Sequence, residues 1–571
     1  MNVLAAPMTV YRQVTITFCM TSTREGKKRV VSGASLQLAA ALRAAQDGRI
    51  EKILWDKMPI WVDAKVRPVT ESEGAQVARV FAFTLYDEYF QQTQARVAAI
   101  KKAHPQAIII IGGPSVNTAH DLKALATAFF PEATALVKGD GEVVITELIK
   151  ALTTEPPDYL AIQRQKGVYV KIGDFEYCDE RRNIATLSQI QTFPFPVDRE
   201  TAGILSEDIE TWGHIFLHTI NGCVHHCKFC SHQYHRRGEI IYWSAERILT
   251  QLCLINQLVE KGKLPAAARC VVFTEDNFFQ DRNRAKEFLR GVIDQPDLSR
   301  DFEFRFNATV SAFYEGRALD QELLDLLNHI HGSVCIGTDG FHPAALKFHR
   351  KGHSWEQAKA LMAELKTRGI EQTHWAILLH PEIKARMLLA TIDNLIRCLL
   401  DYGIFLQTNI ELIAHENTPL ADLAEEKKLI IGRDGQHIKQ LPSRVALRDA
   451  DLRRFLDQVL QIPIDEFRLV AEVMGIEALQ EAIANLYNEA GGDVGEHPKL
   501  RDAIQNRHRP HTPLLLLGAL LNIFLMEAGA INQLREEYCR LTGKNLDFYA
   551  RISELSATSS LVADAFSLWI V

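Results

Sequence analysis

The feature of this 571-residue sequence that most constrains its fold is an alternation of short β-rich runs with helical patterns, which occurs twice along the chain. Parallel strands cannot be joined by tight turns. Each needs a crossover of about a dozen residues, normally a helix, so the alternation predicts parallel sheets covered by helices. In the first array, strand-like runs fall at 14–18, 53–55, 80–85 and 108–111, with apolar residues at helical spacing over 34–45 and 91–104. A short strand at 135–137 precedes a helix over 143–152. In the second array, strands are expected at 215–219, 270–273, 302–306, 334–336, 373–378 and 405–410, and helices at 245–261, 282–294, 320–330, 355–369 and 385–401. Six strand–helix units predict a partial barrel whose chemistry lies at the carboxyl ends of the strands.

The expected architecture is therefore α/β, with four parts. Residues 1–155 form a doubly wound domain, 156–207 a linker with a small hairpin, 208–440 a partial (β/α)6 barrel, and 441–571 an all-helical domain. The hairpin is expected where 168–172 and 175–178 flank Gly173-Asp174, and Phe193-Pro194-Phe195-Pro196 has the pattern of an extended connection. Hydrophobic residues make up 47% and charged residues 24%, the balance of a globular chain rather than a disordered one. The net charge of −7 lacks the basic excess of phosphate-neutralising proteins and disfavours a nucleic-acid partner. The apolar run 513–526 contains Asn522 and is shorter than the roughly 18–20 residues that span a bilayer, so a buried helix and no membrane association are expected. Residues 1–7 carry no basic leader, which predicts a cytoplasmic protein.

Two glycine turns end strands of the first array. The run 107–111 stops at Gly112-Gly113-Pro114, and 135–137 stops before Gly139-Asp140-Gly141-Glu142, which places both turns on the edge where open α/β sheets bind ligands. Of ten cysteines, seven are dispersed in apolar surroundings typical of buried thiols. The other three form Asn221-Gly-Cys223-Val-His-His-Cys227-Lys-Phe-Cys230, directly after the first barrel strand. Three thiolates hold three irons of a cubane cluster and leave the fourth open. A structural zinc with His225, His226 or His232 as fourth ligand is the alternative, but such zinc sites usually sit in small loop-rich domains rather than at the opening of a large α/β repeat.

The pattern C-x-x-x-C-x-x-C, with aromatic Phe229 before its last cysteine and a six-fold strand–helix repeat around it, resembles the radical S-adenosylmethionine (SAM) superfamily. The resemblance implies that Cys223, Cys227 and Cys230 ligate a 4Fe-4S cluster and that Phe229 packs near the SAM adenine. Thr274-Glu275-Asp276-Asn277 stands where the family contacts the SAM amino group, which makes Glu275 and Asp276 candidates; strand-end carboxylates that cap the next helix are the plainer reading. Ile336-Gly337-Thr338-Asp339 resembles the family's Ile-Gly-x-Glu, with Gly337 and Asp339 as SAM candidates and the shorter Asp in place of Glu. His415-Glu416-Asn417-Thr418-Pro419-Leu420 resembles a turn near the end of such cores. The implied chemistry is chelation of SAM by the open iron, then one-electron reductive cleavage to a 5′-deoxyadenosyl radical, with the barrel positioning the reactive atom.

With the doubly wound domain in front, the chain resembles the cobalamin-binding, class B methyltransferase-like branch. By position, Tyr86, Asp87, Gly112, Gly113, Pro114, Ser115, Gly139 and Glu142 would line cobalamin. No Asp-x-His-x-x-Gly occurs in residues 1–150, so no histidine is supplied in that way as a lower cobalt ligand. The implied function is methylation of an unactivated carbon of a small-molecule or peptide intermediate, with a flavodoxin or ferredoxin as electron donor. Ring closure, ring contraction and other non-methylating reactions share these features. A carrier or sensor is a third reading, against which six strand–helix units argue. His214, His218, Tyr234, His235, Asp339 and His380 lie near strand ends, and none is singled out as a catalytic acid or base. Arg507-His508-Arg509-Pro510-His511 has the pattern of a solvated turn.

Overall fold

The structure, a computed structural model, describes residues 9–10, 13–19, 33–44, 50–56, 77–86, 90–119, 121–231, 240–409, 413–415, 418–431, 443–450 and 452–453. Asp87, His232, Tyr234, His235, Glu416, Asn417, residues 1–7 and everything beyond 453, including the basic run and most of the expected helical domain, lie outside the described residues. Two compact units are distinguished, Met1–Val224 with Ser231–Phe306, and His225–Cys230 with Asn307–Val571.

The first unit contains a seven-stranded sheet of β1 (Gln13–Cys19), β2 (Ile50–Asp56), β3 (Val77–Thr84), β4 (Ile108–Gly112), β5 (Ala135–Val137), β6 (Val168–Ile172) and β7 (Phe175–Cys178). Its order is β2-β1-β3-β4-β5-β6-β7, the first five strands parallel and the last two antiparallel. The order reverses at β1, which pairs with β2 on one side and β3 on the other, as in doubly wound sheets. Helices α1 (Gly33–Ala44), α2 (Phe90–Ala103), α3 (Leu122–Phe129) and α4 (Gly141–Leu152) supply crossovers. Val14, Ile16 and Phe18 of β1, Val80 of β3 and Ile110 of β4 share a core with Val144, Ile145, Leu148 and Ile149 of α4. The expected hairpin is present as β6 and β7. It pairs with β5, Ala135 opposite Val170, and so extends the sheet.

Both glycine turns require glycine. Gly113 has φ 104°, and a Cβ there would stand 2.8 Å from the Leu85 nitrogen. Gly139 has φ 102°, and its Cβ would stand 2.6 Å from the Asn183 nitrogen and closer still to the Asn183 oxygen. The Gly139 N–H donates to Asn117 Oδ1 at 2.7 Å, which fixes the turn.

The same unit carries three parallel strands of the second array, β8 (Ile215–Leu217), β9 (Cys270–Phe273) and β10 (Glu303–Ala308, through Phe306), with α5 (Ala245–Glu260) and α6 (Arg282–Ile293) between them. Phe273, Phe278, Phe288, Phe304 and Phe306 form a buried ring cluster behind these strands, with Phe273 and Phe306 stacked at 5.1 Å between centroids. The connection at Phe193–Pro196 is anchored: the Arg247 guanidinium lies 4.5 Å above the Phe195 ring and donates to the Gln191 carbonyl at 2.7 Å.

The second unit holds β11 (Ser333–Asp339), β12 (Gln372–Ile377) and β13 (Phe405–Asn409), parallel and in that order, with α7 (Gln321–His329) before them and α8 (Trp355–Arg368) and α9 (Ala385–Tyr402) as crossovers. The fold class is the expected α/β one. A small antiparallel sheet of Ile413–Ala414, Ser443–Val445 and Ile430–Ile431 follows. No helix among the described residues is long and apolar enough to cross a membrane.

Gly139→Ala should lower stability by more than about 2 kcal/mol, because left-handed strain and collision with Asn183 combine. Gly173→Ala, at φ 57° with no atom within 4 Å of its Cβ, should cost about 1 kcal/mol. Equal melting temperatures for the two variants would count against this account of the turn.

Candidate functional site

In the first unit, β8 ends at Leu217, two residues short of the expected end, because Thr219 pairs with a side chain instead of a strand. The Glu275 carboxylate accepts from the Thr219 N–H at 3.1 Å and from the Thr219 hydroxyl. That hydroxyl oxygen in turn accepts from Arg284 at 2.8 Å, while Arg284 also donates to the Trp243 carbonyl at 2.7 Å. Glu275 is therefore buried in a relay that fastens the base of the cysteine loop to α6, and burial pushes its carboxyl pKa up, opposed by His218, Thr219 and Arg284. Its Oε2 and both amide atoms of Asn277 are buried without a hydrogen-bond partner among the described residues, whereas Asp276 is exposed. His218 bridges Thr274 and Asn221, and Gln280 holds the loop through the Gly222 carbonyl at 3.0 Å and the Val224 N–H at 3.2 Å. His214 stacks edge-on against Phe216. Cys223, in this unit, is half-buried.

Cys227 and Cys230 belong to the second unit, Cys227 buried and Cys230 half-buried. The Cys230 N–H donates to the Cys227 carbonyl at 3.2 Å, which winds the end of the motif into a turn. Lys228 ties that turn down on both sides: its N–H donates to the His349 carbonyl at 2.9 Å, and its carbonyl accepts from the Leu420 N–H at 3.1 Å. The turn at Thr418–Leu420, noticed in the sequence, thus meets the cysteine segment directly. Phe229 packs against Phe348, Ile377, Ala414 and Leu420 and meets the His349 ring edge-on at 5.4 Å. His225 is held by Thr309 at 3.1 Å and Ser311 at 3.3 Å.

Asp339 does not project freely. Its carboxylate is 2.6 Å from the buried ammonium of Lys351, a residue the sequence reading passed over. Burial depresses the Lys351 pKa, but Asp339 and the neighbouring Cys227 outweigh it and keep the ammonium charged. His349 and His380 were also not paired from the sequence. Both are buried with their ring nitrogens unpartnered among the described residues, 5.6 Å apart between centroids, and burial lowers the His380 pKa to about 4, so it is neutral. His380 is one of the histidines that the sequence places near strand ends, whereas His349 is not among them. Among the described residues, no group of three or more His, Cys, Asp or Glu side chains is assembled as a metal site.

At the glycine-turn edge of the first sheet, the Leu85 N–H donates to the Gly112 carbonyl at 2.7 Å and the Ser115 N–H to the Leu85 carbonyl at 3.2 Å, which brings the ends of β3 and β4 together. Tyr86, Gly112, Gly113, Gly139 and Glu142 are half-buried and Pro114 is exposed. Ser115 is buried, and its hydroxyl has no partner among the described residues.

These features define a strand–helix protein with ligand-ready loops after its strands. Residues 217–395 match the model of the radical SAM superfamily, so the chain contains a radical SAM domain. A stretch of 193 residues, 33% of this chain, is 24% identical to the cobalamin-dependent radical SAM methyltransferase TokK of Streptomyces tokunonensis and spans 26% of that protein, about a quarter of its length. The fold is similar to that of the cobalamin-dependent SAM radical enzyme OxsB with aqua-cobalamin bound (TM-score 0.63, 14% identity, 97% of this chain and 80% of that one). It is also similar to the radical SAM methyltransferase TsrM from Kitasatospora setae with tryptophan substrate and a SAM analogue (TM-score 0.54, 16% identity, 74% of this chain and 77% of that one).

Thr219→Val removes the hydroxyl that links Glu275 to Arg284 and should cost about 1–3 kcal/mol, because two buried groups lose a partner. Thr219→Ser should retain most of the stability. Denaturant unfolding of both variants checks this, and an undiminished midpoint for Thr219→Val would refute the relay.

Proposed function

We propose that this protein is a cobalamin-dependent radical SAM enzyme that methylates an unactivated carbon of a small-molecule or peptide biosynthetic intermediate, with electrons from a flavodoxin or ferredoxin. The observation that carries the reading is the cysteine triplet placed after the first strand of a radical SAM domain, behind a doubly wound sheet with two glycine turns. When bound, the cluster and SAM supply a carbon-centred radical, and cobalamin supplies a methyl carrier.

The residues present fit these groups. Cys223, Cys227 and Cys230 are the cluster ligands in this reading, with thiolate chemistry suited to iron. Phe229 offers an apolar face for adenine, and Glu275, Asp276, Gly337 and Asp339 are the SAM-binding residues in this reading. The unpartnered Glu275 Oε2 and Asn277 amide match a ligand that supplies hydrogen bonds. On the other sheet, Tyr86, Gly112, Gly113, Pro114, Ser115, Gly139 and Glu142 line cobalamin, with the buried Ser115 hydroxyl as a polar contact. The likeness in fold to OxsB over 97% of this chain supports the reading.

The test is anaerobic reconstitution with iron, sulfide and cobalamin, then turnover with methyl-labelled SAM and candidate substrates. Both 5′-deoxyadenosine and S-adenosylhomocysteine should form, with label in the product, and Cys227→Ala should reduce both to background. Deoxyadenosine without S-adenosylhomocysteine or label would instead establish a non-methylating radical reaction. Cofactor binding without SAM cleavage under a strong reductant would establish a carrier.

A further inference from the structure

Lys351 carries a full positive charge into the interior. Its side chain is 5% exposed, that of Asp339 is 13% exposed, and the two meet at 2.6 Å. Taking an ammonium out of water is costly, and a buried ion pair is often no more stabilising than apolar side chains of the same volume. Stability alone does not account for the pair.

The local backbone is bent to make it. Strand β11 shifts register between Ile336 and Asp339, and Asp339 itself sits at φ 55°, a left-handed conformation uncommon outside glycine. Gly337 leaves the space open: a Cβ there would come 3.2 Å from Asp339 Oδ2 and 3.7 Å from Lys351 Nζ. On the other side, Arg350 also turns left-handed, at φ 56°, and the Lys351 N–H donates to the Leu346 carbonyl at 3.0 Å, which closes the preceding helical turn and aims the lysine inward. The turn that carries the ammonium meets the cysteine segment: the His349 carbonyl accepts from the Lys228 N–H at 2.9 Å, and a Cβ on Gly352 would stand 3.4 Å from His225 Nδ1, which brings Lys351 to the Cys227–Cys230 turn.

We propose that Lys351 is a positioning residue for the iron–sulfur centre: its ammonium donates to the Cys227 sulfur and raises the reduction potential of the cluster, while Asp339 fixes the ammonium and moderates its field. The proposal rests on the cysteines holding a cluster, as argued above. Reduction brings one electron from an external donor and neither makes nor breaks a bond, so a fixed cation at a ligating sulfur stabilises the reduced form. Net charge and hydrogen bonds to sulfur are the levers by which proteins set such potentials.

The experiment is a redox titration of the reconstituted protein, monitored by the electron paramagnetic resonance signal of the reduced cluster, without SAM, cobalamin or substrate. Lys351→Met should move the midpoint to a more negative value, Asp339→Asn to a more positive one, and Lys351→Arg should leave it near that of the unaltered protein. Asparagine tolerates the left-handed backbone at 339, so that variant tests charge rather than folding. Midpoints of Lys351→Met and Asp339→Asn that stay put at full iron content, or that move in the same direction, would overturn the proposal. So would an unmoved midpoint in Lys351→Met accompanied by lost SAM affinity, which would assign the ammonium to SAM. Should Lys351→Met fail to load iron, the Asp339→Asn and Lys351→Arg midpoints decide. Failure of the unaltered protein to bind iron at all would sink the cluster reading itself, whereas normal iron with unmoved potentials sinks only the role of Lys351.

Discussion

Parallel strand pairing governs where this chain can place chemistry. A parallel strand reaches its neighbour only through a crossover, so the segments that follow successive strands emerge on one edge of the sheet, and those segments are free of ladder hydrogen bonds. In the first unit, Leu85, Gly113 and Gly139 follow β3, β4 and β5, and direct backbone bonds link Leu85 to both Gly112 and Ser115. In the second array, Glu275 to Asn277 follow β9, Asp339 ends β11, and His380 follows β12. Strand interiors bury Phe, Val and Ile, and the buried carboxylates of Glu275 and Asp339 lie where a strand stops.

That separation explains which parts were legible in the sequence. Apolar periodicity reports burial, and it located β4 and β9 nearly to the residue, since Ile108–Gly112 and Cys270–Phe273 carry little else. It overextended β8, because nothing local reveals that Thr219 is claimed by Glu275, 56 residues away. It shortened β11 to Val334–Ile336, because Gly337 and a polar Thr338-Asp339 pair look like a strand end, whereas the strand continues through a register shift that the glycine permits. The cysteine triplet stands out in the sequence by its spacing and its place after the first barrel strand. Lys351 does not, since a lysine between Arg350 and Gly352 looks like a solvated turn until Asp339 is found 2.6 Å away.

Asp339 shows how a family resemblance and a local structure can share a residue without sharing an explanation. The likeness to Ile-Gly-x-Glu placed an acid at the end of the fourth barrel strand, and an acid is there. The shorter side chain is spent on Lys351, and the backbone turns left-handed to bring it into reach. Gly337 answers to the same geometry, for its missing Cβ is what keeps a carboxylate and an ammonium in one small space.

Some buried polar atoms have no hydrogen-bond partner among the described residues. Ser115, Glu275, Asn277, His349 and His380 each carry at least one such atom, and an unsatisfied buried group costs about 1–3 kcal/mol. These five lie in segments that leave a strand or in the turn that supports Phe229, whereas Gln407, which also carries one, lies within β13. The His380 ring shows that this placement is compatible with a stable interior: burial lowers its pKa to about 4, so it remains neutral and stacks on Phe348 at 4.3 Å rather than demanding a counter-ion. Neutral imidazoles and an uncharged amide tolerate a dry site until a ligand supplies the missing hydrogen bonds. A lysine does not: the buried Lys351 ammonium is clamped by Asp339, and the buried Lys138 ammonium beside the Gly139 turn is held by the Ala119 carbonyl and Glu180.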